Sequence, residues 1–404
     1  MNMDLDWILN HHGEERQRYF GAVAPPVLQS SIFTFPDVAA MRATAAHEFD
    51  APFYTRGSNP TVHMLRQKLA ALEGAEECLV FASGAAAIAA AVITCVAAGD
   101  HVVCVQKPYS WTRALLADLL ARFGIAHSFV DARELGQIEA ALTPRTRLIV
   151  LESPNSLTFE VQDLAAVAVL ARARGILTLC DNSHASPLNQ SPLALGIDLV
   201  AHSATKYLNG HSDVVAGALC GSRALIERVF HGPFMTLGAI PGPHDAALIL
   251  RGLRTLKLRM QRVAETTPRI AAHLAAHPRV ARVWFAHAPD HPQRALVERQ
   301  MRASSGLISF ALKDADGAVI ERFCNALQRF LLAVSWGGYE SLVCPLVAFL
   351  PAGAPLIQQP GRAPPQLIRL SIGLEDAEVL IADLEQALDR ACGDRAAARA
   401  GAAP

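Results

Sequence analysis

Three neighbouring stretches decide the fold: Arg147-Leu148-Ile149-Val150-Leu151, then Leu164-Ala165-Ala166-Val167-Ala168-Val169-Leu170-Ala171-Arg172-Ala173-Arg174, then Ile176-Leu177-Thr178-Leu179-Cys180. The first and third are short, mostly apolar runs without the polar alternation of a half-solvated strand, so each reads as a strand buried on both faces. The middle stretch has helical spacing and stops before Gly175. Strand, helix, strand is the crossover that joins two parallel neighbours.

The same unit repeats outward in both directions. Upstream, Cys78–Phe81, His101–Val105 and Ala126–Val130 read as strands, with helices over Val62–Leu72, from Gly84, over Trp111–Phe123 and over Glu134–Leu142. Downstream, Asp198–His202 and Val214–Cys220 complete a large, mostly parallel α/β sheet covered by helices on both faces. A long helical stretch from His244 toward Leu274 leads into a second, smaller α/β unit. Its strands are expected near Val280–Phe285, Gly306–Leu312, Leu331–Val334 and Leu367–Leu370, with helices near Ala318–Gln328 and Ala377–Arg390. Pro351–Pro365, with five prolines, reads as a loop, and Asp394–Pro404 as a frayed tail. The division expected is an arm over residues 1–60, rich in proline with short helical pieces, a sheet domain over 61–245 and a C-terminal domain over 246–404.

Composition narrows the function. The 404 residues are 51% hydrophobic and 18% charged, with 36 basic against 37 acidic side chains. That balance removes the electrostatic case for a nucleic-acid or anionic-membrane binder. The acidic start, Met1-Asn2-Met3-Asp4, lacks the basic region expected of a secretory leader, so none is expected, and the apolar run Phe81–Ala98 reads as a buried helix. Eight scattered cysteines (78, 95, 104, 180, 220, 324, 344 and 392) without a CxxC pair suit buried thiols in a reducing compartment, so a cytoplasmic location is expected. His202, His211 and His231 lack zinc-site spacing, and no metal is expected.

In an open parallel sheet, ligands collect beyond the carboxyl ends of the strands. After Leu79-Val80-Phe81 come Ala82-Ser83-Gly84-Ala85-Ala86, small residues opening a helix, which can seat a phosphate on backbone N–H groups. After Leu179-Cys180 comes Asp181, a carboxylate ending a buried strand. After Ala201-His202 come Ser203-Ala204-Thr205-Lys206. Only five lysines occur, and the other four have plainer places: Lys68 and Lys257 on amphipathic helices, Lys107 before a proline, Lys313 before a turn. A strand-end lysine between hydroxyls, a buried carboxylate and a small-residue helix start are the parts of a pyridoxal 5'-phosphate site. The lysine bonds the cofactor and the carboxylate keeps its ring nitrogen protonated.

At this level of detail the chain resembles a known family. Ser203-Ala204-Thr205-Lys206-Tyr207-Leu208-Asn209-Gly210-His211-Ser212-Asp213 is similar to the cofactor-lysine signature of the Cys/Met-metabolism pyridoxal phosphate enzymes, and the likeness runs from about Tyr54 to Leu388. The resemblance implies a fold-type I architecture and a homodimer or homotetramer with shared active sites. Tyr54-Thr55-Arg56-Gly57-Ser58-Asn59-Pro60-Thr61 resembles the segment whose Tyr54 and Arg56 would reach the neighbouring subunit's cofactor phosphate. Ser83, Gly84 and Ala85 fall on the phosphate-binding turn, with Ser203 and Thr205 as further cofactor contacts, and Tyr109 where the family stacks a tyrosine on the ring. Ser335-Trp336-Gly337-Gly338-Tyr339-Glu340-Ser341 and Arg369-Leu370-Ser371 are similar to the substrate segments. There Arg369 would clamp the α-carboxylate, with Ser335, Trp336 and Tyr54 beside the substrate.

Within the family, Glu152-Ser153-Pro154-Asn155-Ser156-Leu157-Thr158-Phe159-Glu160-Val161 and the tryptophan of Ser335-Trp336-Gly337 look most like the bacterial cystathionine β-lyase branch. That implies a carbon–sulfur β-lyase releasing a thiol, pyruvate and ammonia from cystathionine or another cysteine S-conjugate. Lys206 and Tyr109 would be its catalytic groups. A γ-synthase or γ-lyase on the same scaffold is the alternative. Gly57, where the β-lyase branch often has a second arginine, Trp111 and His184 depart from the pattern.

Overall fold

The computed structural model describes residues 4–400, with side chains through Ala391. The chain forms two compact units, Met1–Ser153 with Gln162–Lys257, and Pro154–Val161 with Leu258–Pro404. Residues before the sheet belong to the first unit. They contribute a helix over Leu5–Asn10, a single turn at Arg16–Tyr19 and a helix over Val38–Ala45.

The first unit is built on a seven-stranded sheet: β1 Glu77–Phe81, β2 His101–Val105, β3 Ala126–Val130, β4 Thr146–Glu152, β5 Leu177–Asp181, β6 Leu199–Ser203 and β7 Gly217–Gly221. In space the order is β1-β7-β6-β5-β4-β2-β3. Only β7 runs against its neighbours, pairing antiparallel with β1 and β6. The mostly apolar runs have the expected cause. Val102, Val103, Ile149, Val150, Leu179 and Val200 are all buried in one core, between helices that include Gly84–Cys95 and Leu164–Ala173.

The second unit has five strands: β8 Val280–Trp284, β9 Leu307–Leu312, β10 Leu331–Leu332, β11 Leu342–Pro345 and β12 Ile368–Ser371, in the order β10-β11-β12-β9-β8. Its pairings are antiparallel except β10 with β11. The whole is the α/β fold that the sequence implies, a larger mostly parallel sheet and a smaller second one.

Local differences have local causes. The single helix expected from His244 is two, Pro243–Leu253 and Leu256–Ala276. Thr255 ends the first by turning both its N–H and its hydroxyl onto the Gly252 carbonyl, each at 3.1 Å. Strand β11 was not expected, because a four-residue segment ending in proline carries a weak periodic signal. The terminal helix, Ala377–Ala400, continues past Asp394, where a frayed tail was expected; residues 401–404 lie outside the described residues. Seven cysteines are free thiols, and the side chain of Cys392 lies outside the described residues. Among the described residues no helix is long and apolar enough to cross a membrane.

Candidate active site

The first unit gathers its chemistry at the carboxyl ends of β1, β2, β4, β5 and β6. Beyond β1, Ser83 caps the helix Gly84–Cys95, its Oγ accepting from Ala86 N at 3.1 Å. Ala87 N bonds the Ser83 carbonyl. The N–H groups of Gly84 and Ala85 are then first-turn donors that the intrahelical pattern does not use. Glycine lets this turn press onto the strands. A Cβ on Gly217 would lie 2.2 Å from the Ser83 carbonyl oxygen, and one on Gly84 would lie 2.9 Å from Ser203 Cα.

Asp181 ends β5, and both hydrogen bonds it accepts land on Oδ1, from Ser183 N at 3.0 Å and Ser183 Oγ at 2.6 Å. Oδ2 accepts no hydrogen bond from the described residues. Ser203 ends β6, and its N–H donates to Ser183 Oγ at 2.6 Å, so one serine links the two strand ends. Lys206 lies three residues on, half-buried, in a turn closed by its N–H on the Ser203 carbonyl at 3.0 Å. Thr205 Oγ1 accepts from Ala216 N and donates to the Ala216 carbonyl, which fastens the lysine turn to the approach of β7. A phosphate seat, a half-satisfied carboxylate and a lysine therefore lie on neighbouring strand ends, and these residues fit pyridoxal phosphate.

Tyr109 follows β2, and its N–H donates to Glu152 Oε2 at 2.5 Å. Burial, then the charges of Asp181 and Glu152, push its hydroxyl above the ordinary phenol value of 10.0. Sequence reasoning missed Glu152, although it ends β4 as Asp181 ends β5 and so met the same criterion. Also missed was Ser183, whose role appears only once β5 and β6 are adjacent. Tyr54 and Arg56 are exposed, the guanidinium 5.1 Å from the tyrosine ring centroid, on a segment bridged to Ile32. Gly57 is buried under the Glu48 carboxylate; His184 is buried and Trp111 exposed.

In the second unit, Arg369 sits on β12 between Cys344 of β11 and Ser309 of β9, only 9% exposed. Its guanidinium donates to the carbonyls of Ser335 at 3.0 Å and Ser156 at 3.4 Å. Ser335 and Gly337 both adopt positive φ (76° and 85°), a local kink that carries the nearly buried Trp336 between them. The loop is pinned by Gly337 N on Ser371 Oγ at 3.3 Å. Arg369, Ser335 and Trp336 therefore form one cluster.

The chain is similar to known proteins over nearly its whole length. The family model of the Cys/Met metabolism PLP-dependent enzymes matches residues 7–389. The chain belongs to that family. It is 42% identical to an L-methionine gamma-lyase of Pseudomonas putida over 94% of this chain and 95% of the relative. It is 39% identical to a cystathionine gamma-synthase of Mycobacterium tuberculosis, again over 94% and 95%. A crystal structure of metB from Corynebacterium glutamicum superposes with a TM-score of 0.88 at 33% identity, covering 96% of this chain and 98% of that one. Membership makes this a pyridoxal-phosphate-dependent enzyme of sulfur amino-acid metabolism. The relatives are γ-lyases and γ-synthases, not specifically the β-lyases that the sequence led us to expect.

Proposed function

We propose that the protein is a carbon–sulfur lyase acting on an amino-acid thioether. The observation that carries this reading is Tyr109. Its side chain is 43% exposed at the strand edge that also presents Lys206 and Asp181, and partial desolvation together with the charges of Asp181 and Glu152 raises its hydroxyl above the ordinary value, so the proton is retained. A retained proton there suits a general acid that protonates a departing thiolate.

The other residues take roles that follow from their chemistry. The first-turn N–H groups of Gly84 and Ala85, with the Ser83 and Ser203 hydroxyls, hold the cofactor phosphate. Asp181 Oδ2 holds the proton on the ring nitrogen. The cofactor, when bound, supplies the electron sink for negative charge at the substrate's Cα. Lys206 Nζ takes the Cα proton and can deliver it again. Arg369 grips the substrate α-carboxylate through a two-pronged, charge-assisted contact, with Trp336 packed beside it.

The relatives' names support cleavage at the γ carbon, and we take γ-elimination as the first reading: thioether plus water gives a thiol, 2-oxobutanoate and ammonia. Trp336 and the segment Glu152–Val161 favour β-elimination as the second, in which cystathionine plus water gives homocysteine, pyruvate and ammonia. Incubation with L-methionine and L-cystathionine, scoring each 2-oxo acid and free thiol, separates them. Pyruvate without 2-oxobutanoate would select the β reading. Neither acid, with no thiol released, would end the lyase proposal.

A further inference from the structure

The ends of β5 and β6 are also tied together by a buried carboxylate that none of the chemistry above uses. Glu73 lies in the last turn of the helix Pro60–Glu73, its side chain 1% exposed. Its Oε1 accepts from His202 Nε2 at 2.5 Å and from Asn182 Nδ2 at 3.0 Å, while Oε2 has no partner among the described residues. His202 immediately precedes Ser203, and Asn182 immediately follows Asp181. Asn182 is itself locked by Gln190. It donates to the Gln190 carbonyl and accepts from Gln190 Nε2, each at 3.0 Å, and that Nε2 also reaches the Ser153 carbonyl at 2.7 Å.

Burying a carboxylate is costly, and an apolar side chain would pack at this helix end without that cost. What the carboxylate adds is direction: one oxygen fixes two side chains, His202 on β6 and Asn182 just past β5, each next to a residue of the cofactor site. We propose that Glu73 is a positioning residue, which through Asn182 and His202 holds Asp181 in register with the Ser203–Lys206 turn. It can act this way only if Asp181 and Lys206 hold the cofactor as proposed above.

The test is Glu73→Met, which keeps the volume and removes the shared acceptor. Asp383→Asn is the control: Asp383 is a buried carboxylate of the second unit that accepts from Gln328 N and Arg329 N, neither of them a cofactor residue. Pyridoxal phosphate is titrated into each apoprotein by quenching of protein fluorescence, and visible circular dichroism is recorded per bound cofactor. For Glu73→Met the dissociation constant should rise about ten-fold or more, which is about 1.4 kcal/mol or more. The visible dichroism should change, and kcat should fall with KM within about two-fold. Asp383→Asn should lower the melting temperature and leave the dissociation constant and dichroism as in wild type. Wild-type affinity and dichroism in Glu73→Met would overturn the proposal, even with a lowered melting temperature. If Glu73→Met does not fold, Asn182→Ala, which keeps the Glu73–His202 pair, takes the same measurements and is judged by the same outcome. Lys206→Ala separates the underlying assignment: retention of the visible lysine-bound band there would end the cofactor assignment, whatever Glu73→Met shows.

Discussion

Tyr109 shows what a single residue's surroundings decide. Its hydroxyl is pushed upward, so the proton stays on below and through the ordinary value of 10.0 and leaves only as the pH rises through the higher one. As a general acid, Tyr109 should therefore impose an alkaline limb on kcat that begins above 10.0. Tyr109→Phe should lower kcat by about 10²–10⁴-fold and abolish that limb, measured as a pH–rate profile for thiol release. An unchanged limb would place the acid elsewhere. Arg369, as the proposed clamp of the α-carboxylate, should have a different signature, because that part of the substrate does not react. Arg369→Ala removes one side of a charge-assisted pair worth about 2–5 kcal/mol, so KM should rise about thirty-fold or more while the visible spectrum of the holoenzyme is unchanged. Both residues were legible in the sequence as motif positions. Glu73 was not, since its partners lie 109 and 129 positions away and no spacing rule connects them.

Elements explain why the sheet was legible and the arm less so. Strands β2, β4, β5 and β6 are buried on both faces, and such strands print themselves as apolar runs whatever their partners. Lys68 shows the limit of that logic. Helical spacing placed it on an amphipathic helix, yet its side chain is 0% exposed and paired with Glu14 at 3.2 Å. Its ammonium also donates to the carbonyls of Ile8 and Leu9, and Glu14 in turn meets Arg16 and Arg254. A charge cluster thus fastens residues 8–16 to the helices Pro60–Glu73 and Pro243–Leu253. Burial drives the Lys68 pKa down and Glu14 opposes it. Glu14→Gln strands the ammonium and should cost about 3–5 kcal/mol in urea unfolding at neutral pH. The folded pKa of Lys68 lies below its unfolded value, so the unfolded chain binds more protons between the two. Stability therefore rises with pH in that window. The variant's deficit should shrink as pH approaches 10.5, and a deficit constant with pH would mean that the lysine is not its source.

At the scale of the whole molecule, the question is whether one chain makes a complete site. Phe20, Val23, Ile32 and Val38 are exposed apolar residues on the same N-terminal stretch that carries the exposed Tyr54 and Arg56. We propose that this surface is buried against a second copy, with Arg56 completing the neighbour's phosphate site as the family resemblance implies. Arg56→Ala alone should then weaken cofactor binding and turnover, but so would an arginine acting within its own chain. A mixed dimer distinguishes them. Arg56→Ala and Lys206→Ala chains are co-expressed under two tags and the hybrid is isolated. If Arg56 acts in trans, the Arg56→Ala chain keeps its own Lys206 and receives an intact arginine from its partner, so one site of each hybrid is whole and the other lacks both residues. Random pairing makes about half of the dimers hybrid, and the unsorted mixture should recover roughly a quarter of wild-type activity. If Arg56 serves its own subunit, no dimer of any composition has an intact site. Activity no higher than Arg56→Ala diluted by the inactive chain would then show that each subunit's site is its own.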